Sequence, residues 1–362
     1  MFVAWRDLRF AKGRFVLIGL VIVLITLLVG LLSGLTAGLG RQNVSAIMGL
    51  PADKIAFNAP SAGQSLSFAN SVVTEAQWQR WAATPGVRSA QPLGIATTKA
   101  TAGDRNVAVS VFGVLPGSGL APAGDRIGDR AVVLSDAAAA DLGVTTGDSV
   151  TLSGQTVTVA AVSGDASFSH TPVLWADLDL WRQLAPPTGS SASQTATVIA
   201  LTVGDGTDLR AVDSEAGTKT VDRADALSAI GSYTSENGSL QLMRGFLFAI
   251  SALVIGAFFT VWTIQRSGDV AILKALGAPT RRLLTDALGQ AVVLLGFGTL
   301  IGTGLAAGFG ALIAGTKIPF ELTPATVLVP AAVMIALGAV GAALPLRRIA
   351  SIDPLIALGS AR

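Results

Sequence analysis

Residues 243–295 read MRGFLFAISALVIGAFFTVWTIQRSGDVAILKALGAPTRRLLTDALGQAVVLL. An apolar run from Gly245 to Ile264 leads into a charged turn, and a second apolar run starts at Ala287. About 20 apolar residues suffice for one helical crossing of a bilayer, so the two runs read as neighbouring spans. The turn carries Arg266, Lys274, Arg281 and Arg282 against Asp269 and Asp286. That basic excess places it on the cytoplasmic side. Val270, Ile272, Leu273, Leu276 and Leu283 recur in it at roughly helical spacing. This predicts a short amphipathic element at the membrane face, ended by Gly277 and restarted at Pro279. A soluble partner could push on such an element.

Working outward, Phe15–Gly40 contains no charge and follows a basic, amphipathic start, MFVAWRDLRFAKGR. The apolar core is too long for a cleaved signal peptide, so it reads as an uncleaved anchor span behind an interfacial helix. Gly30, Gly34 and Gly38 lie on one face of that span, a spacing that lets another helix approach closely. Scatter of glycine in a chain with 41 of them is the competing reading. A last span is expected at Val327–Leu346. Gly298/Gly302 and Gly304/Gly308 repeat the close-packing spacing in the third span. Basic residues precede the first span and follow the fourth (Arg347, Arg348, Arg362), so both termini are expected inside and the large loop outside.

That loop, Met48 to about Tyr233, is polar and rich in turns. Helices are expected at Glu75–Ala83, Ser135–Leu142 and Asp208–Glu215. Strands are expected at Val87–Lys99, Asn106–Leu115, Asp129–Leu134 and Thr195–Val203, with a hairpin over Asp148–Val162 turning at Ser153-Gly154. Pro186–Gln194 reads as a loop. The fold class is therefore a membrane protein of four transmembrane helices, with a large extracytoplasmic α+β domain inserted between helices 1 and 2. The expected boundaries are a cytoplasmic amphipathic helix at 1–14, spans at 15–40, 241–264, 287–315 and 327–346, and the external domain at 41–240. A cytoplasmic segment at 265–286, a short external loop at 316–326 and a cytoplasmic tail at 347–362 complete them.

Composition agrees with a mixed membrane and soluble chain: 362 residues, 51% hydrophobic, 13% charged. A net charge of +2 gives no case for nucleic acid. With no cysteine there is no disulfide framework, thiolate metal site or Cys nucleophile. The nearest approach to a phosphate-binding loop is GALIAGTK, Gly310–Lys317. It lacks Lys directly after Gly and ends a span instead of following a strand. Nucleotide must therefore be handled by another subunit, and this chain by itself is expected not to be an enzyme. The carboxylates of the outer domain sit beside glycines in turns and make no catalytic set.

Three stretches resemble the MacB/FtsX family of ABC transporter permeases. They are AWRDLRFAKGRFVLIGLVI at the start, QRSGDVAILKALGAPTRRLLTDALGQAVVLLGFGTLIG from the second span into the third, and PLRRIASIDPLIALGSAR at the end. The outer segment AVVLSDAAAADLGVTTGDSVTLSGQTVTVAAV is similar to the family's external domain. Asp269 stands where the family usually has Glu. Within the family the chain looks most like haem-efflux permeases of the HrtB type, with DevC-type exporters next. The resemblance implies a homodimer in the bacterial plasma membrane with two copies of an ABC-type ATPase subunit, which would hold ATP and Mg. It implies that Arg266, Asp269, Leu273, Lys274, Leu276, Gly277 and Arg281 couple to that ATPase. Gly30, Gly34 and Gly38 become candidates for dimer packing. The implied function is export of haem, entering sideways from the membrane into a cavity at the dimer interface. Export of glycolipid, lipoprotein or peptide is the alternative, as is an FtsX-like signalling permease that activates an external hydrolase.

The start of the second span supplies candidate substrate residues. Tyr233, Glu236 and Met243 share a helical face. At the end of the first span Arg41 and Met48 share another, in line with the glycines. Tyr and Met serve as axial haem ligands elsewhere, which makes Glu236, Met243 and Tyr233 candidates for the iron of a haem substrate. Arg41 or Arg244 could pair with its propionates. The competing reading is that all six are ordinary membrane-boundary residues. His170, the only histidine, lies in SFSHTP and reads either as a surface residue or as a haem- or metal-related one.

Overall fold

The computed structural model describes residues 12–184, 195–265, 267–313, 316 and 318–350. Most of the expected interfacial helix, Arg266, the whole 186–194 loop and the end of the tail lie outside the described residues, as do the side chains of Asp269, Arg347 and Arg348. The chain divides into two compact units: Leu39–Gly238, and Met1–Gly38 with Ser239–Arg362.

The second of these is the membrane unit. Its helices are the first part of α1 (Lys12–Met48), α6 (Tyr233–Gln265), α7 (Ser267–Ala275), α8 (Thr280–Ile313) and α9 (Pro324–Ala350). Among the described residues four are long and apolar enough to cross a membrane: Val16–Met48, Tyr233–Gln265, Thr280–Ile313 and Pro324–Ala343. Missing side chains let the helices touch. A Cβ on Gly302 would stand 2.6 Å from the Val23 carbonyl of α1, and one on Gly298 would stand 2.7 Å from Ile22. A Cβ on Gly30 would stand 2.7 Å from Ala306. Gly34 and Gly310 both close on the ring of Phe320, and Gly38 lies on the backbone of Pro319. The face of α1 expected to pack a dimer is thus covered by α8 and the α8–α9 loop of the same chain. Gly304 and Gly308 meet nothing within 4 Å and share an outward stripe with exposed Leu300, Ile301, Leu305 and Phe309. Ile22, Ile255, Phe259, Leu295 and Met334 fill the centre of the unit.

The outer unit is built on a split βαβ pattern. β1 (Lys54–Asn58), α2 (Glu75–Ala82) and β3 (Val87–Ala102) form one half; β11 (Val198–Val203), α5 (Leu209–Ala216) and β12 (Thr218–Asp222) form the other. Their strands lie in the order β12-β1-β11-β3. Between the halves are β4 (Arg105–Val114), β5 (Ala131–Leu134), α3 (Asp136–Leu142), β6 (Ser149–Leu152), β7 (Gln155–Val162), β8 (Ser167–Phe168), β9 (Thr171–Asp177) and α4 (Leu178–Leu184). This insert continues the sheet as β4-β9-β5-β7-β6, and β6 returns to pair with the far end of β3 at Ala100 and Thr101. Six strands therefore close on themselves. β3 can serve both parts because its 16 residues outrun β11: Val87–Leu93 pair with β11 while Leu93–Ala102 pair with β4. β2 (Val73–Thr74) and β10 (Thr195–Ala196) form a separate small ribbon.

Helix ends follow their sequence. Ser135 caps α3 by accepting from the Ala138 N–H, and Asp208 caps α5 through the N–H groups of Arg210 and Ala211. Gly143 and Gly217 close the same helices in the left-handed conformation. Trp78 and Trp81 of α2 and Trp181 of α4 are buried in one core. A second core contains a line of aromatic rings, Phe57–Phe68–Phe168–Phe112–Trp175, with successive centroids 4.9, 5.5, 5.6 and 5.1 Å apart.

Candidate functional site

That aromatic line fixes Phe168, and Phe168 places the site. β8 and β9 pair as Ser167↔Pro172 and Phe168↔Thr171, which leaves Ser169-His170 as a two-residue hairpin loop. Both loop residues have positive φ, +48° and +64°. A two-residue hairpin demands this so that the turn matches strand twist, and non-glycine residues adopt it at a cost. Thr171 offsets part of that cost by donating from Oγ1 to the Phe168 carbonyl at 2.8 Å; its hydroxyl lies 2.6 Å from Ser110 Oγ.

The tip docks on the last turns of α1. The N–H groups of Ser169 and His170 donate to the carbonyls of Asn43 and Gln42 at 3.0 and 3.2 Å. Ser45 Oγ accepts from the Ser167 N–H at 2.8 Å. Side chains then converge on the first turn of α6. His170 Nε2 lies 2.6 Å from Glu236 Oε2, and Asn43 Nδ2 donates to the same oxygen at 2.9 Å. A carboxylate only accepts, so Nε2 carries the proton. Nε2 and Nδ2, 3.4 Å apart, are then two donors sharing one oxygen. Ser232 Oγ accepts from Asn43 Nδ2 at 3.4 Å. Asn43 is 2% exposed.

Glu236 belongs to the outer unit. At about 1.5 Å per residue α6 is much longer than a crossing of about 30 Å needs, so its first two turns are surplus to the span. The His170 hydrogen bond holds the Glu236 carboxyl below the usual glutamate range; desolvation pushes the other way. A depressed carboxyl pKa adds stability above the unfolded value and loses it as pH falls through the folded one. The junction is therefore expected to survive acid through the ordinary glutamate range and to open below it. His170→Ala should move the Glu236 midpoint upward, read by carbon-13 NMR of labelled carboxyls. An unmoved midpoint would deny the bond its role.

The other candidates are dispersed. Tyr233 packs against the aromatic core of the outer unit. Arg41 pairs with Asp165 on the surface. Met48 is 39% and Met243 53% exposed. Arg244 stands 5.8 Å over the Phe248 ring, a cation–π contact within the membrane unit. The structure thus brings Glu236 together with His170, Asn43 and Ser232, three residues that spacing did not select. The signal available for His170 was its position between two hydroxyl-rich, alternating pairs, SF and TP, which marks a tight hairpin. Among the described residues no group of three His, Cys, Asp or Glu could hold a metal ion.

The segment between the second and third spans is equally defined. α7 buries Val270 and Ala271 and exposes Ile272, and Leu276 in the turn that follows is 79% exposed. Gly277, at φ +90°, ends it: its N–H bonds to the Lys274 carbonyl and that of Ala278 to Leu273. α8 then starts after Pro279.

Comparison with known proteins gives two family models in tandem. A MacB-like periplasmic core domain matches residues 15–219, more than half of the chain, and an FtsX-like permease C-terminal region matches residues 242–354. A protein of Staphylococcus haemolyticus named "Putative hemin transport system permease protein HrtB" is 25% identical over 362 residues, covering 99% of each chain. The protein of that name from Staphylococcus epidermidis is 26% identical over 370 residues, again covering 99% of both. An uncharacterized ABC transporter permease of Mycobacterium tuberculosis, Rv2563, is 29% identical over 287 residues, 76% of each chain.

Proposed function

Since the chain belongs to the MacB/FtsX family of ABC transporter permeases, we propose that it is the membrane subunit of an ATP-driven pump that exports haem. Full-length similarity to permeases named for hemin transport supports that cargo. The observation within this chain that carries it is the junction at Glu236. The Glu236 carboxyl, on the outer unit at the start of the helix that forms the second span, is kept ionised by two side-chain donors, His170 and Asn43. Met243 is exposed, and its thioether is a candidate soft second ligand. Haem is flat and apolar with two carboxylates, and it partitions into membranes. It would enter laterally between two copies of the chain, and Glu236 would turn from His170 to the iron. Tyr233, packed into a core, is the weakest of the three iron-ligand candidates.

In this reading both termini and α7 are cytoplasmic, and two ATPase subunits, which hold ATP and Mg, dock beneath a homodimer. Motion enters through α7 and reaches the outer unit along α6 and α1. Two defined states are required, loaded with Glu236 on the iron and unloaded with Glu236 held by His170.

Haem titration of the purified chain, followed in the Soret region, tests the proposal. Saturable binding is expected for wild type, with at least tenfold weaker binding in Glu236→Ala and a shifted band in Met243→Ala. His170→Ala should bind more tightly, because the competitor for the carboxylate is gone. Absence of binding by folded protein would point to a lipid or peptide cargo. Binding untouched by all three variants would keep haem and reject the site.

A further inference from the structure

Hydroxyls in the helices of the membrane unit have a default partner, the carbonyl one turn back. Thr36 donates to Leu32 at 2.7 Å, Ser251 to Leu247 at 2.6 Å, Thr260 to Gly256 at 2.8 Å and Thr263 to Phe259 at 2.7 Å. Thr26 and Ser33 of α1 and Thr299 and Thr303 of α8 depart from it. The Oγ1 of Thr26 and that of Thr303 are buried and make no hydrogen bond among the described residues, and Thr26 is 2% exposed. In lipid no bulk water relieves such a group, so an unmet hydroxyl is costly.

Thr26 and Thr303 line one notch between α1, α8 and α9. Gly30, Gly34 and Ala306 line it too, with Phe320 and Glu321 of the α8–α9 loop. The loop is held there by the Glu321 N–H, which donates to the Gly34 carbonyl at 3.0 Å. The notch leaves about 10 Å³ for the centre of a water-sized sphere. That is close to the minimum for one water, and a bound water needs two to four polar partners.

We propose that this notch is a binding site for a single water molecule, shared by the hydroxyls of Thr26 and Thr303. The water ties the first span to the third where a direct bond is not made. With the water between them, α1 and α8 can shift without either hydroxyl losing its partner.

Valine replaces threonine with almost the same shape and no hydroxyl, so the sign of the effect is diagnostic. The full-length chain in mixed micelles is unfolded with increasing SDS. Thr26→Val and Thr303→Val should each lower the folding equilibrium about five- to tenfold. The double variant should be no worse than either single, because one water is lost once. Serine at both positions keeps the hydroxyls and should restore the coupling even if valine misfolds the protein. Radiolytic hydroxyl-radical labelling gives a second readout: Phe320, beside the water, should be oxidised in wild type and protected in Thr26→Val. Stabilisation by valine, additive losses, or Phe320 oxidation unchanged in the valine variant would each overturn the proposal.

Discussion

Leu276→Asp is expected to abolish ATP-driven export while the chain still inserts and its outer unit still folds. Ile272 on α7 is 50% exposed and Leu276, in the turn that follows α7, is 79% exposed, while Val270 and Ala271 hold the helix in the membrane unit. Burying one leucine is worth about 1.5–3 kcal/mol. Losing that at a protein interface costs one to two orders of magnitude in affinity, and a carboxylate forced into the same place costs more. Co-purification with the ATPase subunit, together with export from intact cells, measures it. Leu276→Ala should weaken the complex and Leu276→Asp should remove it. An unchanged complex in both would mean that the ATPase docks elsewhere.

The second large effect is expected at Gly302. A side chain there meets the Val23 carbonyl and the Leu27 amide of α1, backbone atoms that cannot move without moving the helix. Gly302→Val should therefore prevent assembly of the membrane unit, beyond the roughly 1–3 kcal/mol typical of overpacking a core. Gly304→Val is the control, since nothing lies within 4 Å of that position. Resistance to protease in micelles separates the two. If Gly304→Val leaves the single chain intact but lowers its state of association, the outward stripe of α8 is where copies meet. Equal tolerance of both variants would refute the packing of α1 on α8.

Most of the fold was legible because its signals are local. The Gly277-Ala-Pro279 break and the charged turn around it predicted α7 and the start of α8, and both lie there. The helices expected at Ser135–Leu142 and Asp208–Glu215 lie there as α3 and α5, with Ser135 and Asp208 as their caps. The Ser153-Gly154 turn placed β6 and β7. The first and last strands, β1 and β12, went unread because each is a short run beside polar residues, and their pairing links positions over 160 residues apart in the register Lys54↔Asp222. β9 was masked by Pro172, its second residue.

Of the site, sequence reasoning selected Glu236, as a candidate iron ligand sharing a helical face with Tyr233 and Met243, and left His170 between a surface and a haem- or metal-related reading. Glu236's partners, Asn43 and His170, are separated from it by 193 and 66 positions, and nothing in local spacing links them. They meet because an aromatic line fixes Phe168 and a strained two-residue turn aims the next side chains at α1. The α1 glycines were read correctly as a close-packing face, but sequence could not say against what. Phe320, 286 positions from Gly34, takes the place expected for a second copy.

The measurement that bears most directly on the central claim is ATP-dependent removal of haem from proteoliposomes. They would contain the chain and its ATPase, with an apo-haem acceptor outside. Wild type should transfer haem to the acceptor only with ATP and Mg. Glu236→Ala should fail to do so while its basal ATP hydrolysis persists. Transfer by Glu236→Ala at the wild-type rate, or no ATP-dependent transfer by a wild-type complex that hydrolyses ATP, would contradict the account.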